Sequence, residues 1–228
     1  MKGDRNELSD FVESSGVKLS KLTTPVKNDF DDLIDLGLGE LSFPTPKHIC
    51  DAAMSAISKG ETKYTPARGS KLLIEAIKFK LQRDNSLYYP HEEIIVSSGA
   101  KHSLSNVIYS LIGKGDKVLL PTPCWPNYDS LVRMAGGLPK YLRCTEANGF
   151  KLDPEELERS ICRKTKMFIF SSPCNPTGAV YTESELAGIA KVFLRHPHVF
   201  IVSDEIYEYI NYTGEHHTIG KFDGLRER

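Results

Sequence analysis

Several common signatures are missing from this chain, and each absence narrows its function. Basic residues never form a run: 29 Lys and Arg stand against 30 Asp and Glu, a formal charge of −1 over 228 residues. That balance gives a polyanion no handle, so nucleic acid and an anionic membrane surface are not expected as partners. The longest apolar stretches, such as KVLLP and KMFIF, fall far short of the roughly 20 residues a helix needs to span a bilayer. The start, MKGDRNELSD, is charged and carries no apolar h-region, so no secretory signal is read and a cytoplasmic location is the default expectation. The five cysteines (50, 124, 144, 162 and 174) are scattered, odd in number and without a C-x-x-C pair. Reduced thiols fit that pattern better than a disulfide framework or a zinc site. His216 and His217 adjoin, but no other ligand type stands at a supporting spacing, so they are expected in a surface loop with no metal. Neither G-x-G-x-x-G nor G-x-x-x-x-G-K-[ST] occurs, which disfavours a dinucleotide or a P-loop nucleotide. No internal repeat or low-complexity tract is present.

What is present is an ordered alternation. Residues 1–35 read as an N-terminal arm, with a weak helical spacing in NELSDFVESSGVKLSKL before Pro25. Residues 36–228 then read as one domain. TPKHICDAAMSAISKG predicts a helix with Thr45 as N-cap, Pro46 at the first position and Gly60 just past the end. GSKLLIEAIKFKLQRDN predicts a second, with Leu72, Leu73, Ala76, Ile77 and Leu81 on its apolar face. From there strands are predicted at EIIVSSG, DKVLLP, LPKYLRC, KMFIFSSP and HVFIVSD. Helices are predicted between them at AKHSLSNVIYSLIGKG, NYDSLVRMAGG, DPEELERSI and TESELAGIAKVFLRH. Strands that are apolar throughout and joined by helices imply an α/β fold, a three-layer sandwich whose mainly parallel sheet is covered on both faces. In such sheets ligands collect beyond the C-terminal strand ends.

Those strand ends carry chemistry. After EIIVSS, Gly99 leads into a helix starting Ala100-Lys101, a turn able to cradle phosphate on free N–H groups; a purely geometric glycine is the bland alternative. After KVLLP, TPCWPNY holds the single tryptophan, Trp125, between two prolines. It suits stacking on a planar ligand, or equally a hydrophobic plug. After KMFIFSS, Asn175 precedes Pro176, which biases it towards an extended or turn conformation; it reads as an amide aimed into the crevice or as an ordinary Asx turn. The stretch FIVSDEIYEY, read as a strand buried on both faces, ends on Asp204 and Glu205 with Tyr207 following. An anion cradle, an aromatic plate, an amide and a carboxylate with a phenol are together what a phosphorylated, phenolic pyridine needs.

KYTPARG, SSGAKHSL, PCNPTG and SDEIY resemble the fold-type I pyridoxal-phosphate enzymes, specifically the class I/II aminotransferases of the aspartate aminotransferase superfamily. The resemblance runs from about residue 33 to the end. It implies the large domain of that fold, stopping before the C-terminal small domain, and pyridoxal 5′-phosphate as cofactor. It further implies that backbone N–H groups of Ala100 and Lys101 hold the phosphate and that Trp125 stacks on the pyridine ring. Asn175 and Tyr207 would donate to its phenolate oxygen, and Asp204 would pair with the protonated ring nitrogen. Tyr64 would reach the phosphate in a neighbouring subunit, implying a homodimer. Gly39 would contact the substrate carboxylate, with Trp125 and Asn175 also on the substrate side. Glu205 has no such task and reads as structural.

The implied activity moves an amino group between an L-amino acid, aspartate-like being one option, and a 2-oxo acid. Two departures from the family pattern stand out: GELSF has Leu41-Ser42 where the family has Pro-Asp, which loosens the substrate assignment, and Cys174 stands where Asn is common, outside the implied direct contacts. The family's Schiff-base lysine, in a Ser-x-Ser-Lys-like segment, matches no position here. Lys221 is the only lysine after Asp204 and its surroundings differ. No catalytic residue is therefore assigned, and these residues alone are expected to be inactive, as the N-terminal portion of an aminotransferase. The alternatives are a C–S lyase, decarboxylase or synthase on the same cofactor, or a catalytically dead remnant. A Mg-dependent nucleotide hydrolase, suggested by FIVSDE, fails for want of a P-loop.

Overall fold

The computed structural model describes Gly39 and residues 41–228; the arm expected over 1–35 lies outside the described residues. The chain divides into two compact units between Leu73 and Ile74. In the first, helix α1 runs Lys47–Ser58. Pro46 is its cap residue, in an extended conformation (φ −55°, ψ 140°), and no side chain caps the helix. The helix thus starts one residue later than expected and Thr45 is not its cap. Gly60 does follow the end with φ +75°, the left-handed conformation that stops a helix without a Cβ penalty.

Helix α2, Lys71–Asn85, corrects a second expectation. Leu72 and Leu73 are exposed, while Ile74 is fully buried and Ile77 and Leu81 are half-buried. The inward stripe is i, i+3, i+7 from Ile74, a narrower face than the leucine-led one read from the sequence. Two neighbouring leucines cannot share a face with Ile77 and Leu81 unless the stripe is wide.

The remaining elements build the sheet. They are α3 (Ala100–Leu111), β1 (Lys117–Thr122), α4 (Asn127–Met134), β2 (Leu138–Arg143), α5 (Pro154–Ser160), β3 (Thr165–Ser171), α6 (Glu183–Arg195) and β4 (Phe200–Asp204). The strands lie in the order β2-β1-β3-β4, and every pairing is parallel. Successive side chains go to opposite faces. Val118, Leu120, Met167 and Ile169 meet Leu104 and Ile108 of α3 and Val132 of α4. Leu119, Phe168 and Phe170 meet Leu157 of α5 and Ile189 and Phe193 of α6. The three layers expected from the sequence are therefore helices, sheet, helices. At the entry to β2 the layers come so close that a Cβ on Gly137 would stand 2.6 Å from Ile112 Cγ2.

Two strand expectations need correction. Ile94–Ser97 belongs to no described strand, although Ile94 itself is extended. Apolar content favours extension, but a strand exists only where a neighbour takes its hydrogen bonds. β4 is half-buried along its whole length rather than buried on both faces, because it is the edge of the described sheet and has β3 alone as partner.

Two variants test the packing. Phe168 is fully buried, with ring centroids 5.3 Å from Phe170 and 5.1 Å from Phe193. Phe168→Ala is expected to cost about 3–5 kcal/mol in urea unfolding. Thr182 caps α6 in a reciprocal box with Glu185, so Thr182→Ala is expected to cost only about 1 kcal/mol. Equal losses would contradict the assignment of Phe168 to the centre of the core.

Candidate functional site

Parallel strands all release the chain on one side, and a cavity of about 210 Å³ opens there. Its wall includes Ala100, Lys101, Trp125, Asn175, Asp204 and Tyr207. The structure thus brings six of the seven cofactor candidates named from the sequence around one space. Tyr64 and Gly39 belong to the other compact unit, where Tyr64 is fully exposed.

Each wall residue is placed by the element before it. Gly99, at φ +83°, turns the chain into α3. Ala100 and Lys101 then open the helix with N–H groups that have no acceptor within it. Trp125 follows β1 and packs edge-on against Tyr128, with centroids 5.5 Å apart and an interplanar angle of 83°. Asn175 sits in a loop after β3 that is closed by Gly178 N–H donating to the Cys174 carbonyl at 2.7 Å. Asp204 ends β4, level with Ser171 at the end of β3. Tyr207 lies in the turn just beyond, where Glu208 N–H donates to the Glu205 carbonyl at 3.0 Å.

Sequence reading missed two residues here. The buried Tyr128 phenol donates to Asp204 Oδ2 at 2.6 Å, and Ile206 N–H donates to Oδ1 at 3.3 Å. The carboxylate is thereby held from both oxygens with lone pairs to spare. Tyr128 stands three residues after Trp125 in TPCWPNY, and its N–H donates to the Trp125 carbonyl at 3.2 Å. Ser171 also lines the cavity. Its Oγ is buried beside the Tyr128 phenol and makes no hydrogen bond of ordinary geometry.

Glu205 and His216 go elsewhere. Glu205 accepts from Ser203 Oγ at 2.7 Å, Thr218 Oγ1 at 2.7 Å and His216 Nε2 at 2.8 Å. With Glu208 these carboxylates and His216 form a donor group within 4.8 Å, although nothing in the sequence spacing suggested one. His216 is not the surface-loop residue expected, since its side chain is only 11% exposed. Glu208 is already paired with the Lys80 ammonium and accepts from Asn85 Nδ2 at 2.9 Å. This group borders a separate cavity of about 370 Å³ beside β4, whose polar lining is largely self-satisfied.

Burial pushes the Cys124 and Cys144 thiols up to about 11, which disfavours the thiolate and its reactivity. No described helix is long and apolar enough to cross a membrane.

Comparison with known proteins identifies the family and the fold. The family model for aminotransferase class I and II matches residues 31–222. A probable aspartate/prephenate aminotransferase of Rickettsia felis is 45% identical over 205 residues, covering 90% of this chain and 50% of the relative. An aspartate aminotransferase of Geobacillus stearothermophilus is 43% identical over 210 residues, covering 92% and 53%. The crystal structure of an aspartate aminotransferase from Rhizobium meliloti superposes with a TM-score of 0.91 at 38% identity, covering 95% of this chain and 55% of that one. The chain spans about half the length of the curated relatives it matches.

The Tyr128–Asp204 contact has a measurable consequence. Burial first, and the Asp204 negative charge second, push the Tyr128 phenol well above the ordinary tyrosine value of 10.0. The folded protein therefore keeps a proton that the unfolded chain loses above pH 10. The associated stability is complete below the unfolded value and declines as pH rises from there towards the folded one. One such proton steepens the fall by at most about 1.4 kcal/mol per pH unit. Tyr128→Phe should flatten the loss of unfolding free energy between about pH 10 and pH 11.5 by part of that amount. An unchanged slope would show that the phenol ionises normally in the fold.

Proposed function

Because the chain belongs to the class I and II aminotransferases, we propose that its strand-end cavity binds pyridoxal 5′-phosphate and serves amino-group transfer between an L-amino acid and a 2-oxo acid. The observation that carries this reading is the joint presence of Asp204, Trp125, Asn175 and the start of α3 on one cavity wall. The residues fit the cofactor: the Ser171 hydroxyl, which makes no hydrogen bond of ordinary geometry, and the free lone pairs of Asp204 ask for a polar partner inside a partly aromatic cavity. Names of the relatives favour an aspartate-like donor.

In this proposal the N–H groups of Ala100 and Lys101 take the phosphate, helped by the positive end of the α3 dipole. Trp125 presents its indole face to the ring, and Asn175 and Tyr207 donate to the phenolate oxygen. Asp204, held in place by Tyr128, keeps a proton on the ring nitrogen, because an opposite charge in a poorly solvated site favours the charged form. When bound, pyridoxal phosphate supplies an electron sink for the substrate's α-carbon. Glu205, bound in its own network, holds the turn that carries Tyr207. A cytoplasmic homodimer, with Tyr64 reaching a neighbouring subunit's phosphate and Gly39 near the substrate carboxylate, completes the proposal. Among the described residues Lys101 supplies the only amine on the cavity wall, and the Schiff-base lysine expected by resemblance matches no position of residues 1–228. These residues by themselves are therefore expected to bind cofactor without transferring amino groups.

The chain contains one tryptophan, so its fluorescence reports on this cavity alone. Titration with pyridoxal 5′-phosphate is expected to quench it saturably, with affinity reduced about tenfold or more in Asp204→Ala and in Asn175→Ala, as loss of a charge-assisted or buried hydrogen bond implies. Quenching that never saturates, or that both variants leave untouched, would refute the assignment.

A further inference from the structure

Two of the five thiols stand in the loops that build the cavity wall. Cys124 lies between β1 and α4, one residue before Trp125, and Cys174 lies between β3 and α6, one residue before Asn175. Both are free and half-buried. The Cys174 thiol donates to the Pro123 carbonyl at 3.7 Å, so its sulfur touches the peptide bond that leads into Cys124. Both residues border one cleft of about 10 Å³, with room for a single water at most and none for a ligand. Ser171 lines this cleft and the 210 Å³ cavity alike, so the cleft backs onto the cavity wall. Cys144, the third thiol of this region, is buried, with its Sγ 3.8 Å from the Leu142 carbonyl of β2.

We propose that Cys124 and Cys174 form a reversible thiol–disulfide pair, closed by a low-molecular-weight disulfide, whose bond ties the Trp125 loop to the Asn175 loop and so resets the cavity wall. A disulfide needs Cβ atoms about 3.8 Å apart, and loops supply the small backbone adjustment that paired strands resist. Burial first, and the neighbouring Cys174 charge second, hold the Cys124 thiol up at about 11, so the first attack falls to Cys174. Its thiolate attacks one sulfur of the incoming disulfide, expelling one small thiolate and leaving a mixed disulfide on Cys174. Cys124 then gives its proton to water and attacks the Cys174 sulfur, which expels the second small thiolate. Two protein thiols are oxidised, and the small disulfide is reduced to two thiols. Excess small thiol runs both steps backwards, so the bond is a switch rather than a permanent staple. The pair rests on the two loops alone and stands whatever ligand the cavity takes.

The test incubates the chain with oxidised glutathione, blocks the remaining thiols with iodoacetamide and maps the unreduced peptides by mass spectrometry. The expected result is a Cys124–Cys174 cross-linked peptide and loss of the alkylated form of both residues. Emission from Trp125, the single tryptophan, should fall in step, because a disulfide beside an indole quenches it. Dithiothreitol should restore the emission and both alkylated thiols. Cys174→Ser should abolish the cross-link and the fall in emission, while Cys162→Ser should leave both intact. Glutathione that stays on Cys174 as a mixed disulfide would overturn the proposal. So would a bond from either residue to Cys144, or a Cys124–Cys174 link that leaves Trp125 emission unmoved.

Discussion

The site depends on a constraint of direction. All four described strands run parallel, so every strand delivers its C-terminal end to the same side. The register then decides which residues meet. Ser171 lies level with Asp204, while the loops after β1 and β3 bring Trp125 and Asn175 to the same wall. Neighbouring strands are about 4.8 Å apart, so residues more than seventy positions distant in sequence become neighbours without any loop having to reach. Reversal of β1, β3 or β4 would send one of these groups to the opposite edge of the sheet.

Within that frame the two adjacent acids of FIVSDE separate cleanly. Asp204 closes β4 and turns to the strand-end cavity, where Tyr128 fixes it. Glu205 turns away into hydrogen bonds from Ser203, Thr218 and His216. Alternation of side chains along an extended chain accounts for the split. One carboxylate keeps capacity for a ligand; the other is consumed in holding the loop that follows. A carboxylate with donors already on it is held in orientation, and what it adds to a bound cation is direction as well as charge.

Much of this was legible in the chain. The helical stretches DPEELERSI and TESELAGIAKVFLRH, four of the five apolar strands and the glycine before Ala100 are local signals, and each predicted its element. What escaped reading was set by tertiary neighbours. Ile94–Ser97 has strand composition but no described partner, and composition does not reveal partners. Leu72 and Leu73 look more apolar than Ile74 as a pair, yet the turn of α2 that meets the core is the one carrying Ile74. Tyr128 sits in an amphipathic helix where an aromatic residue reads as ordinary core. Only the sheet, by bringing β4 alongside β3, shows that its hydroxyl ends at Asp204. Likewise the grouping of Glu205, Glu208 and His216 comes from a loop folding back, for which no spacing rule exists. Trp125, Asn175 and Asp204 could be picked out because they follow or close strands in order; Tyr128 could not, because it acts through space.

The central claim is that a carboxylate held by Tyr128 faces a heterocyclic nitrogen in this cavity. The most direct measurement is the nitrogen-15 resonance of ring-labelled pyridoxamine 5′-phosphate bound to the protein near neutral pH. A pyridinium signal that reverts to that of the neutral pyridine in Asp204→Asn is the predicted result. A neutral pyridine signal in the unaltered protein would contradict it.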